Sequence, residues 1–145
     1  MIRFTAVLFL LWAGLLLGVS FVATPVKFMA NGLSMPVALE IGRVTFHLFN
    51  KIEWMFCFLI ILLTIWVRPS WKIRVCGWII FSLLAFETFC LMPELDVRAN
   101  NVIAGENAEP GLLHWLYIVC ELSKLSLLLI GGWVFLAQEK QSQTE

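Results

Sequence analysis

An all-α fold, an integral membrane four-helix bundle with both termini cytoplasmic, follows from three features of the sequence. Apolar residues make up 61% of the 145 and charged residues 14%, against about 45–50% and 25% in soluble domains. A soluble domain of this length has too little interior to hide so much apolar surface. The mean hydropathy is +0.90, and the apolar residues gather in four runs close to the ~20 residues that a helical span requires. In lipid only helices and closed barrels satisfy their own backbone, so a single domain of transmembrane helices is expected over residues 1–145. Ten basic residues balance ten acidic ones, which removes the electrostatic footing for nucleic-acid binding and leaves the lipid bilayer as the first partner.

The first span runs over about 4–24 and carries no charge. It starts like a secretory leader, Met1-Ile2-Arg3 before an apolar run with Phe21-Val22-Ala23 loosely suggesting a cut, but its length and the Pro25 beside that cut favour an uncleaved helix. Its Gly14-x-x-x-Gly18 allows a close helix approach, inside the bundle or in a homodimer. Thr24-Pro25 and Asn31 to Pro36 then supply turn chemistry, with Ser34 and Pro36 placed to open a helix. The second span covers 46–67, and its helix is free to begin well before the lipid. The third covers 73–92 and the fourth 112–137.

Orientation comes from basic residues in short links. Arg68, Lys72 and Arg74 crowd the link between spans two and three, which places that link and both termini in the cytoplasm. Glu94, Asp96, Glu106 and Glu109 against Arg98 make the link from Pro93 to Gly111 an outside one, and Asp96 to Pro110 is long enough to act as a lid. Trp66, Trp71, Trp78 and Trp133 then fall at the inner interface and Trp115 at the outer, where indoles gather.

The chemistry sits in ionisable residues inside the apolar runs. His114, Tyr117, Glu121 and Lys124 are spaced three, four and three, which places them on one helical stripe about 80° wide. Glu40, Arg43, His47, Asn50 and Trp54 form a similar stripe on span two, with Lys51 at its edge and Glu53 on another face. Span three adds Glu87. All of these share the outer half of the bilayer, whereas Phe56 to Trp66 and Leu125 to Phe135 carry no acidic, basic or histidine side chain. A pocket open to the outside and closed at the cytoplasmic end is expected. Arg43, Lys51 and Lys124 balance Glu53, Glu87 and Glu121 by pairing, and pairing matters because a charge at the bilayer centre costs roughly 2.5–3.5 kcal/mol. The competing reading is that these groups only hydrogen-bond across helices, at about 0.6 kcal/mol each.

No cofactor or metal is expected, the alternative being a b-type haem held between His47 and His114. Cys57, Cys76, Cys90 and Cys120 form no C-x-x-C pair. Cys90 and Cys120 both fall towards the outer side, where a disulfide stays open to them beside packing as buried thiols. Nothing matches a nucleophile elbow, a P-loop or a zinc-protease helix, so a non-enzymatic role is the first reading.

Phe21-x-x-x-Pro25-x-Lys27-Phe28, Arg43-x-x-Phe46, Pro93-x-Leu95-Asp96-x-Arg98 and His114-x-x-Tyr117-x-x-x-Glu121-x-x-Lys124 together resemble the small four-helix bacterial inner-membrane proteins of unknown function. The resemblance spans most of the chain and implies a multi-pass inner-membrane protein with no assigned activity. In size and helix count alone the chain is also similar to the bacterial membrane-bound protoporphyrinogen oxidase and the copper-resistance D-type domains. The expected function is binding, or helping to move, a small polar solute or ion. A haem- or metal-binding membrane oxidoreductase and an accessory subunit bound to a membrane-complex partner are the alternatives.

Overall fold

The computed structural model describes residues 1–67, 69–105 and 111–142, the side chains of residues 139–142 excepted. Arg68, Glu106, Glu109, Pro110 and the Lys140 side chain therefore lie outside the described residues. Four long helices account for nearly all of the rest: α1 (Ile2–Met29), α2 (Met35–Val67), α3 (Trp71–Ile103) and α4 (Leu112–Ser142). All four are long and apolar enough to cross a membrane, and no strand occurs among the described residues. Each helix packs on its neighbours in sequence and α4 closes the ring against α1. The up-down-up-down course puts the chain ends and the short turn after Val67 at one end, here the terminal end. The ends of α1 and α3 and the starts of α2 and α4 meet at the other, the loop end.

The helices run longer than the apolar runs alone predict. At 1.5 Å per residue, the 33 residues of α2 and of α3 reach about 50 Å, well beyond a hydrocarbon core of about 30 Å. α1 does not stop at Thr24, nor α3 at Met92; each passes straight through a proline. The reason is local. Proline lacks an N–H and its ring collides with the carbonyl four residues back. For Pro25 and Pro93 those carbonyls belong to Phe21 and Phe89, and both lie in π-helical stretches, Leu17–Ala23 and Glu87–Leu91. The wider turn makes room for the ring, and such stretches recur at functional sites. The Thr24 hydroxyl donates to the Val19 carbonyl at 2.9 Å, which also accepts the Thr24 backbone N–H in the widened turn. The segment 93–103, expected as part of a loop, is therefore helix. It ends at Gly105, whose φ of 95° is a left-handed cap that other residues adopt only with strain.

Helix packing also departs from expectation at the glycines. Gly14 and Gly18 face open space, so they bring α1 close to no other helix of its own chain. The close approach is made instead by Gly131 and Gly132 on α4, which lie against Phe9 and Leu10 of α1. Phe9 and Phe135 pack there at 5.6 Å between ring centres. All four cysteines are free, including Cys90 and Cys120. Trp66, Trp71, Trp78 and Trp133 stand exposed at the terminal end and Trp115 at the loop end.

Candidate functional site

One lysine and three glutamates, supplied by three helices, meet in the middle of the bundle. Lys124 on α4 is 0% exposed, and Glu53 of α2, Glu87 of α3 and Glu121 of α4 are 1% exposed each. The Lys124 ammonium lies 2.8 Å from Glu53 Oε1 and 2.6 Å from Glu121 Oε1, and it also touches Glu87 Oε2. One oxygen from each glutamate falls within 4.8 Å of the others. The ammonium thus sits among three carboxylates as a metal ion would, tethered to its own helix. Glu87 Oε1 has no hydrogen-bond partner among the described residues.

The helix that lacks a charge still contributes. Trp12 of α1 donates its indole N–H to Glu53 Oε1 at 3.1 Å, and Ser20 donates to Glu121 Oε2 at 2.5 Å. Both prolines enter here. The π-helical stretch before Pro25 carries Ser20 and the one before Pro93 carries Glu87, and each of these side chains meets the α4 pair. A widened turn rotates the residues that follow it relative to a regular helix. The backbone irregularity and the polar centre thus coincide in both helices.

A cavity of about 150 Å³ opens towards the loop end, lined in part by Lys27, Arg43, Phe46, Asp96, His114 and Tyr117. Tyr117 forms its floor, buried, edge-on to Phe46 at 5.4 Å and one turn from Glu121. Lys27 rests its ammonium 5.0 Å from the Phe28 ring centre and 5.4 Å from that of Phe46, a cation–π arrangement. It lies directly over Gly42, where any side chain would displace it, and no carboxylate comes within ion-pair distance of it among the described residues.

The stripe on α2 faces α3 and forms a polar ladder. Arg43 donates to Asn100 at 2.9 Å while pairing with Glu40 at 2.7 Å. His47 Nε2 meets Asp96 Oδ2 at 2.7 Å. Asn50 and Trp54 both donate to the Thr88 hydroxyl, at 2.9 and 3.0 Å, and Thr88 in turn donates to the Leu84 carbonyl at 2.7 Å.

Of the residues expected to share a pocket, Glu53, Glu87, Glu121 and Lys124 converge, with Tyr117 above them. Arg43 and His114 line the cavity at the loop end. His47 lies in the ladder, exposed, and Lys51 is exposed and outside both groups. With Arg43 and Lys51 elsewhere, the expected three-to-three balance does not assemble, and the buried group holds three acids against one base. Ser20, Trp12, Lys27, Asp96 and Thr88 were not legible as site residues. Ser20 and Trp12 sit in an apolar run with no period of their own to mark them, although the proline five residues past Ser20 was a signal.

No described protein family, curated protein or solved structure matches the chain.

Proposed function

We propose that this is a multi-pass inner-membrane protein that binds, and helps to move, a small polar solute, with protons exchanging at the buried carboxyl group beneath the loop-end cavity. The observation that carries this reading is the convergence of Glu53, Glu87 and Glu121 on the single Lys124, all at most 1% exposed. Fully ionised, the four would hold two excess negative charges. Carboxylates within 4.8 Å of one another repel by about 3 kcal/mol per pair at an effective dielectric of about 20. One ammonium offsets one carboxylate, so the remaining two are relieved by protons or by an added cation. Protons are the better answer: the ammonium already fills the centre of the triad, and the cavity above it is walled by Lys27 and Arg43, which disfavour a metal cation.

Tyr117 lies between the cavity and the acids and offers a hydroxyl for relaying a proton, with the exposed imidazole of His114 one turn further out on the cavity wall, the role such chains serve in membrane proteins. Lys27, with no carboxylate partner among the described residues, suits a solute carrying negative charge. The basic link after α2 favours a cavity on the outer side, and the sequence resemblance to small four-helix inner-membrane proteins supports a bacterial inner membrane.

Infrared difference spectroscopy of the purified protein tests the reading. A protonated-carboxyl band present at neutral pH, titrating reversibly in alkaline buffer and diminished in Glu87→Gln, is the expected result. A spectrum in which all buried carboxyls stay ionised across the range would overturn it in favour of a packing role alone.

A further inference from the structure

The ladder between α2 and α3 stops at the level of the carboxyl group. Below it, towards the terminal end, the two helices separate around a cleft of about 570 Å³, within the ~300–1,000 Å³ of sites that hold small molecules. Its walls are Ile61 and neighbouring residues of α2 and Ile73 and Gly77 of α3. Its back is formed by Phe9 and Trp12 of α1, each 1% exposed. Apart from Thr64 and Arg74 the lining is apolar.

Two features single this cleft out from an ordinary seam between helices. A side chain at Gly77 would meet nothing within 4 Å, so the residue leaves space where an alanine or leucine would fit and would form helix more readily. Arg74 stands one turn away at the mouth, exposed, with no carboxylate in ion-pair range among the described residues. It lies at the level of the exposed Trp71 and Trp78, the depth at which a headgroup meets the hydrocarbon. An apolar slot topped by a guanidinium that no carboxylate pairs among the described residues matches an amphiphile with an anionic head. A basic group beside a gap between spanning helices is the usual setting for such headgroups. Guanidinium binds phosphate through two parallel hydrogen bonds.

We propose that the α2–α3 cleft holds one acyl chain of an anionic phospholipid, its phosphate paired with Arg74 and its chain lying against Gly77 and Trp12. The site is separate from the proposed solute cavity and stands whether or not the carboxyl group exchanges protons. Because the Trp12 indole also donates to Glu53, the end of the chain lies directly behind the polar centre.

The test uses the full chain in mild detergent, with phosphatidylglycerol and phosphatidylcholine of identical acyl chains as probes and bound lipid counted by native mass spectrometry. Wild type should retain phosphatidylglycerol about fivefold better, the preference that one basic contact of ~1 kcal/mol gives. Arg74→Gln should erase the preference while leaving chain binding. Gly77→Leu should lose both lipids at unchanged thermal stability. Should Gly77→Leu fold poorly, Thr64→Phe on the opposite wall fills the same space. Equal retention of both lipids by wild type overturns the proposal. So does unchanged retention in a stable, cleft-filled variant, and so does a wild-type dimer that dissociates when the cleft is filled, which would assign the cleft to a second copy of the chain.

Discussion

The two halves of the α2–α3 interface are built on opposite principles. Towards the loop end, Arg43, His47, Asn50 and Trp54 meet Asn100, Asp96 and Thr88 in an unbroken polar ladder. Towards the terminal end, the same two helices face each other across apolar side chains and leave a cleft. The carboxyl group lies where one regime gives way to the other. In lipid there is no hydrophobic drive to bring helices together, so association rests on packing and hydrogen bonds. Where the ladder supplies hydrogen bonds the helices are fastened by them; where only packing is available, Gly77 leaves it incomplete. The contrast separates a hydrogen-bonded stretch from an incompletely packed one along one pair of helices.

The largest effect is expected at the boundary itself. Lys124→Met removes the only cation among three buried acids, and breaking a buried ion pair from one side costs about 3–5 kcal/mol. The loss should depend on pH. The folded variant can shelter its glutamates only by binding protons that the unfolded chain in neutral solution releases. Stability then falls as pH rises, because the native state holds more protons. Thermal denaturation in detergent should show Lys124→Met much weakened in alkaline buffer and partly recovered in acid. Adding Glu53→Gln, Glu87→Gln and Glu121→Gln to it should restore most of the loss and remove the pH dependence. An unweakened Lys124→Met would show that the boundary is not electrostatic.

Next comes a pair of glycines in the terminal half. Gly131 is pressed by Phe9, whereas Gly77 faces open space. Gly131→Leu should cost about 1–3 kcal/mol, the range for overpacking a filled interface, while Gly77→Leu should be tolerated. Equal destabilisation by the two would erase the distinction between the closed α1–α4 seam and the open α2–α3 one.

What the sequence reveals of this arrangement follows its periodicities. Four apolar runs and the basic link after α2 are long-range patterns, and they suffice for four spanning helices. The α4 stripe is equally legible because three-four-three spacing fixes a face regardless of context. Helix ends were not, since Pro25 and Pro93 normally mark boundaries and here are accommodated by π-helical turns. The turn before Pro25 also hides Ser20 from face counting, because it shifts the register by which a regular helix is read, whereas Glu87 is legible simply as an acid inside an apolar run. The charge count failed for another reason: Arg43 and Lys51 are close to the acids in sequence, but Arg43 is claimed by Glu40 and Asn100 and Lys51 points outward. Composition counts charges without saying which share an enclosure.

The smallest effects test the comparison most directly, with two threonines as probes. Thr88 accepts from Asn50 and Trp54 across the interface, whereas Thr64 in the open half donates only to the Ile61 carbonyl of its own helix, at 2.7 Å. Thr88→Ala leaves two donors from α2 without their acceptor, and at about 0.6 kcal/mol for each interhelical bond in a membrane protein the expected loss is about 1 kcal/mol. Thr64→Ala breaks no contact between helices and should change stability by less than about 0.5 kcal/mol. Chemical denaturation of both variants in the same detergent reads the difference. A Thr64→Ala as costly as Thr88→Ala would mean that the open half is held by contacts of its own, and the division of the α2–α3 interface into a fastened half and a free half would have to be abandoned.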